Sequence, residues 1–452
     1  MRLRKRKAVP WSYKMKKIPL ASTLAVLLLF FCSCSSTPMS VLPENQYIPA
    51  DFSGIIHGAT RTQKEYAYLD YLGANWVLKT FYWTDIEPEK GDWNFLDYDD
   101  IVNRSKSSGI KVLGLLAYDN WWIHDDKDTH KYIPPARIPD FLEYVRKTVE
   151  HFQGRVDAWC IWNEPNFHFW TGTDEEFIEL SRQTAGAVKE TDSEVILLGG
   201  AFNRGVFGLP EKFARALFES GAMEKVDAVA FHPYELNPAR TLSLYNQFKK
   251  IADDYGFGDK IWVTEVGYPT GGWYPTKVKE KKLPEYVIKT WVLLAAGGTN
   301  KLFWYELFDS VKRSKSNSED FFGLVRSKRD YTSKGAEAFR LCAKFLQDTN
   351  CSVLENGEDL SGSLRSFWFK GAEGGALVIW NESSGSKQVR LRLPGTDNQA
   401  SIEAFSHDPV SGKMSPIQAD TVIKVGKMPV FITYMFQHGS PDYESKPVIS
   451  KK

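Results

Sequence analysis

Cysteine is scarce: five in 452 residues. Cys32 and Cys34 fall together near the start, and Cys160, Cys342 and Cys351 are scattered. No pair has the spacing of a zinc site, which excludes that kind of metal centre. Cys342 and Cys351 flank a turn, where an oxidising compartment would permit a disulfide, though only geometry decides it. A second absence is sustained charge of one sign. The formal net charge is +1, and residues 2–17 hold eight bases (Arg2, Arg4, Lys5, Arg6, Lys7, Lys14, Lys16, Lys17) and no acid, so the remainder carries 1 − 8 = −7. A mildly acidic body with no basic run argues against nucleic-acid binding. No glycine-rich phosphate loop follows the first apolar strand, which argues against a dinucleotide-binding sheet. Long hydrophobic runs are absent after the run at 18–31.

What is present is a globular balance, 43% hydrophobic and 25% charged, which excludes wholesale disorder. Aromatics reach 14%, with 15 Trp. Flat rings fill cores, and they also stack on flat apolar faces such as those of sugars.

The apolar run at 18–31 sits behind the basic segment and is too short to span a bilayer comfortably, as expected of a signal peptide. Cys34 follows the small Ser33, whereas Cys32 follows the bulky Phe31. The string ending at Cys34 resembles a bacterial lipoprotein lipobox. That resemblance implies a signal peptide at 1–33, lipidation of Cys34, and a polar linker at 34–50. It implies export to the bacterial cell envelope, at the outer membrane or cell surface, with the membrane reached through a lipid anchor. An ordinary cleaved signal would leave the protein periplasmic or secreted.

From residue 51 short apolar runs alternate with amphipathic stretches. The strand candidates are 54–58, 76–81, 112–117, 158–162, 195–199, 228–232, 261–265 and 302–305. Helical spacing marks 62–72, 98–107, 139–152, 174–189, 210–219, 242–255, 284–296 and 333–345. Eight alternating units over 51–348 predict an α/β fold, a (β/α)8 TIM barrel. Beyond it the helix signal stops. Closely spaced strand patterns at 364–369, 376–380, 388–393, 400–406, 421–425 and 430–435 predict a small C-terminal β-sandwich over 349–437. Residues 438–452 read as a flexible tail.

Barrel enzymes place chemistry at the C-terminal ends of the strands. There the fourth strand ends Trp162-Asn163-Glu164-Pro165 and the seventh ends Thr264-Glu265. Two carboxylates facing across one mouth can hydrolyse a glycosidic bond. Glu235 and Glu306 are rival acids at or near strand ends, and Glu87 reads as a loop-shaping residue.

These strings resemble clan A of the glycoside hydrolases. So do the loop Ile86-Glu87-Pro88 beside Trp83, the string Phe231-His232-Pro233-Tyr234, and Trp304 ending the eighth strand. With the trailing sandwich, the layout is most similar to glycoside hydrolase family 39. The resemblance implies a retaining mechanism, with Glu164 as acid/base and Glu265 as an ionised nucleophile supported by Tyr234. It implies that Asn163 holds a sugar hydroxyl, His232 orients the pair, Trp304 stacks beneath the ring, and Trp83 lies near substrate. Where clan members often carry Arg, this chain offers Lys79, which supplies charge without a bidentate fork. The expected partner is an oligosaccharide or polysaccharide, and no metal or organic cofactor is required. Rival readings are a non-catalytic carbohydrate-binding lipoprotein, a transglycosylase using the same residues, and an envelope protein with a decayed site. The sugar, exo or endo action and the oligomeric state stay open.

Overall fold

A computed structural model describes residues 42–57, 62–204, 208–273, 277–326, 331–354, 362–394, 402–436 and 446–451. The expected signal peptide and Cys34 lie outside the described residues, as does the linker up to residue 41.

After a short strand β1 (Gln46–Ile48), eight parallel strands close into a ring. They are β2 (Ser53–Ile56), β3 (Trp76–Tyr82), β4 (Lys111–Ala117), β5 (Ala158–Ile161), β6 (Ile196–Asn203), β7 (Ala228–His232), β8 (Ile261–Val266) and β9 (Lys301–Trp304). The helices are α1 (Gln63–Leu72), a four-residue α2 (Trp83–Ile86), α3 (Leu96–Ser107), α4 (Ile138–His151), α5 (Asp174–Thr191), α6 (Glu211–Glu219), α7 (Pro238–Asp253), α8 (Leu283–Ala296) and α9 (Lys334–Leu346). The architecture is thus a (β/α)8 barrel, as the alternating pattern predicts. Local chemistry marks the ends of these helices. Thr173 caps α5 in a reciprocal box with Glu176, and Asn237 caps α7 ahead of Pro238.

Period-two alternation decides which side chains enter the barrel. Trp76, Trp262 and Phe303 pack together at its floor, with Trp76 5.3 Å and Phe303 6.3 Å from Trp262. Gly54 sits beside them because a Cβ there would lie 2.4 Å from the Phe303 ring. Lys111 and Lys301 close the floor by pairing with Asp51, each at 2.7 Å.

A seven-stranded antiparallel sheet follows. Its order is β1, β12 (Thr349–Val353), β13 (Leu364–Lys370), β14 (Gly374–Asn381), β19 (Val430–Phe436), β16 (Ile402–His407), β17 (Met414–Ile417). A second sheet joins β18 (Asp420–Val425), β15 (Lys387–Arg392) and β20 (Val448–Lys451). Leu377, Ile379, Val389, Leu391 and Ile432 form the core between the two sheets. The opposite face of the larger sheet, with Phe369 and Phe431, joins the core of the barrel. Both of its faces are therefore buried. A two-residue ribbon, β10 (Val325–Arg326) with β11 (Tyr331–Thr332), precedes α9.

Two expectations are corrected here, and one question that the sequence leaves open is answered. Val448–Lys451 is a strand paired with β15, not part of a flexible tail, because Ile449 buries its side chain between Val389 and Leu391 partners. The expected linker contains β1, which pairs with β12. Cys342 and Cys351 are separate buried thiols, and burial pushes both up. Among the described residues no helix is long and apolar enough to cross a membrane.

Candidate active site

The chain turns sharply after β5. Trp162 has φ +59° and Glu164 φ +43°, a left-handed backbone that non-glycine residues seldom adopt and that clusters at functional sites. Hydrogen bonds hold it. The Glu164 amide donates to Ala201 O at 3.1 Å, and the Trp162 indole donates to Phe169 O at 2.8 Å. Asn166 exchanges two bonds with the Asn203 backbone, fixing this loop to the end of β6. Glu164 is thereby 4% exposed, and its Oε1 accepts from Asn203 Nδ2 at 2.6 Å and meets His232 Nδ1 at 2.8 Å.

Glu265 reaches the same place through a break in β8. Trp262 faces the barrel interior, so strict alternation would send Glu265 outward. The register with β9 shifts between Val263 and Val266, and both Thr264 and Glu265 then face His232. Bulges re-aim side chains in this way beside active sites. Tyr234 donates its hydroxyl to Glu265 Oε2 at 3.0 Å. His232 Nδ1 stands 3.6 Å from that oxygen, and His232 Nε2 lies 3.0 Å from Thr264 Oγ1. With the Thr264 hydroxyl donating to Nε2, the imidazole proton sits on Nδ1 and points at Glu164.

Glu164, His232 and Glu265 each offer an atom within 4.8 Å of the others. These donor types could hold a metal ion; among the described residues Asn203 and His232 bond one oxygen of Glu164, and Tyr234 bonds one oxygen of Glu265. Burial pushes the Glu265 carboxyl up; His232 pulls it back, and Glu164 pushes it further up. Burial works against charging His232, yet Glu265 and Glu164 outweigh it, and its basicity is raised.

Asn163 lies half-buried at the mouth, with its side chain in hydrogen-bonding range of the Tyr118 hydroxyl. Tyr82 and Tyr118 stand side by side there, with ring centroids 6.3 Å apart. The rival acids are engaged elsewhere: Glu235 with Arg204 and Arg240, and Glu306 with His57 Nδ1 at 2.9 Å.

Three expected substrate contacts are not at the site. Trp304 is 0% exposed and packs outward against Tyr268 and Phe339. Phe303 takes the inward position on β9, so its neighbour must point out. Trp83 is also 0% exposed, stacks on Tyr144, and donates its indole N–H to Glu87 at 2.7 Å. Lys79 shares the outer face of β3 with Phe81, which packs on Tyr98 and Phe152, and its charge acts on Glu65 of α1.

In place of Trp304, the next residue lines the pocket. Tyr305 is half-buried, 6.3 Å from Tyr234 and 5.5 Å from His57 between ring centroids. Its hydroxyl donates to Glu319 at 3.1 Å. Glu319 is a third carboxylate at the mouth. Crowding by protein, despite contact with solvent, pushes it up to about 7, and Glu265 adds to the shift. Asn203 and Glu319 both escape the sequence pattern. For Asn203, the signal was the apolar Ala201-Phe202 continuing past Gly199-Gly200.

No family model matches the chain. A beta-xylosidase of Caldicellulosiruptor saccharolyticus is 34% identical over 77 residues, 15% of this chain. The match spans 16% of that relative's length. Among solved structures, a family 39 glycoside hydrolase from Bacteroides cellulosilyticus WH2 superimposes with a TM-score of 0.69 at 18% identity, covering 86% of this chain and 81% of that one. A GH39 beta-xylosidase from Caulobacter crescentus gives 0.59 at 14% identity, covering 87% and 97%. At these identities the likeness is one of fold.

Proposed function

We propose that the protein is a glycoside hydrolase that cleaves O-glycosidic bonds of an oligosaccharide or polysaccharide with net retention. One observation carries the reading: Glu164 and Glu265 face each other, with one oxygen of each no more than 4.8 Å apart. Retaining enzymes hold their carboxyls about 5–5.5 Å apart, whereas inverting ones leave about 6.5–9.5 Å for a water. The names of the similar proteins, glycoside hydrolases and a beta-xylosidase, support the glycoside-hydrolysis part of this reading.

In this mechanism Glu265 attacks the anomeric carbon as the bond to the leaving oxygen breaks. Glu164 gives its proton to that oxygen. Asn203 and His232 both address Oε1, so the transferable proton rides on Oε2. Water then attacks the glycosyl-enzyme, its proton passes to Glu164, and Glu265 leaves as carboxylate. A sugar acceptor in place of water would make the reaction a transglycosylation. Asn163 contributes a hydroxyl contact, and Tyr305 forms the wall against the ring. His232 and Tyr234 keep the pair in place. Because burial raises Glu265, turnover declines on the acid side as the nucleophile takes up a proton.

The test is hydrolysis of a panel of aryl glycosides and oligosaccharides, with proton NMR of the first anomer formed. Cleavage with retained configuration, absent in Glu265→Ala, is the expected result. An inverted product would remove the nucleophile role from Glu265. Binding without cleavage across the panel would favour a carbohydrate-binding protein.

Export and lipid anchoring at Cys34 belong to the same proposal and rest on the sequence alone. Incorporation of labelled palmitate that is lost in Cys34→Ala tests them.

A further inference from the structure

The two walls of the mouth differ in charge. On the side of Glu265 stand Glu319, Tyr305 and His57, with Glu306 behind His57. Beside Glu164 stand Lys131 and His168, on the loops that follow β4 and β5.

Lys131 is placed by its backbone. It has φ +55°, its amide donates to Asp119 Oδ1 at 2.8 Å, and its carbonyl accepts from Thr171 at 3.2 Å. Its ammonium lies 4.0 Å from the centre of the Phe169 ring. Phe169 is nearly parallel to Tyr118, whose hydroxyl reaches Asn163, next to Glu164 in the chain. His168 adjoins Phe169, 4.4 Å between ring centroids. Lys131 is half-buried and forms no ion pair with a described residue. The carboxylates near it are committed. Asp119 is buried and accepts from the Lys131 amide on one oxygen, and from the His130 amide and His124 on the other. Glu164 Oε1 serves Asn203 and His232. The charges of Asp119 and Glu164 act on the Lys131 ammonium, yet burial outweighs them, and an anion supplied by a ligand offsets that cost.

We propose that Lys131 and His168 form an anion-binding subsite on the leaving-group side of Glu164, which takes a sugar bearing a carboxylate or a sulfate. The assignment of sides rests on the acid/base role given to Glu164 above. The acidic wall beside Glu265 repels the same anion, so the polarity of the mouth sets its orientation. Burial weakens the basicity of Lys131, and a bound anion restores it.

The test is calorimetric binding in a Glu265→Ala background, where turnover does not interfere. The probes are tetragalacturonate for the carboxylate, a sulfated carrageenan tetrasaccharide for the sulfate, and xylotetraose as the neutral reference. One anionic probe is expected to bind at least tenfold more tightly than the neutral one, and which one names the anion. Lys131→Gln should remove about tenfold of that preference, Lys131→Arg should retain it, and His168→Ala should weaken it. Glu319→Gln, on the opposite wall, should leave it within twofold. Equal binding of neutral and anionic probes, binding of none, or a preference untouched in Lys131→Gln overturns the subsite. A large gain in Glu319→Gln would put the anion on the other side and also overturn it. Preference is read without catalysis, so a failed subsite is distinguishable from a failed hydrolase.

Discussion

Replacing Asn203 by Ala isolates the placement of the catalytic proton. Asn203 Nδ2 donates to Glu164 Oε1 at 2.6 Å inside a buried site. A hydrogen bond to an ionising group is worth about 1.5–3 kcal/mol. At about 1.4 kcal/mol per decade, losing it from the transition state costs roughly 10- to 150-fold in kcat/KM. The loss should depend on the leaving group. An alkyl or sugar alcohol needs the proton, and without Asn203 the one partner left to Oε1 among the described residues is His232. A dinitrophenolate leaves unaided and should slow less than about threefold. The backbone bonds between Asn203 and Asn166 survive the substitution, so the fold should lose only about 1 kcal/mol. The assay is kcat/KM for both leaving-group classes in the parent and the variant, with a thermal melt of each. Equal losses on both substrates would mean that Asn203 supports the site generally and that the proton placement on Oε2 is wrong.

Tyr305→Ala is expected to raise KM several-fold with little change in melting temperature, whereas Trp304→Ala should destabilise by about 3–5 kcal/mol, as for a buried indole, without a specific effect on KM; denaturant melts and Michaelis curves separate the two. Folded Glu319 holds its proton to about pH 7 against an ordinary 4.5. The folded state therefore binds more protons than the unfolded one between those values, and stability falls as pH rises through that window. Glu319→Gln should flatten that slope in melts from pH 4 to 8 and remove an inflection near pH 7 from the rate profile.

The alternation of apolar runs and helical spacing was enough to read the barrel, because parallel strands buried on both faces are short and continuous. Glu164 and Glu265 were legible because each ends such a run. The direction of side chains was less so. Trp304 and Tyr305 are adjacent aromatics, and which one faces the pocket depends on the phase set by Phe303 on the barrel floor. Lys79 was misplaced for the same reason, one step out of phase with the inward positions of β3. Asn203 was hidden by Gly199-Gly200, which reads as a strand end but is a bulge, with Gly200 at φ +86° and the register shifting before Phe202. The strands at Gln46–Ile48 and Val448–Lys451 carry too few apolar residues to signal themselves. They exist because a distant sheet offers an edge.

That edge pairing bears on how the chain reaches its native state. β1 precedes the barrel, yet its partner β12 follows it, and the Tyr47 hydroxyl bonds Asp348 across 301 residues of chain. The ribosome releases this first strand long before its partner exists, so the two ends of the barrel are sewn together only late. Loop closure over such a length contributes to slow folding. Trimming the C-terminal sheets to obtain a minimal barrel would orphan β1 and bare the buried faces of Trp291 and Phe345, which Phe369 and Phe431 cover.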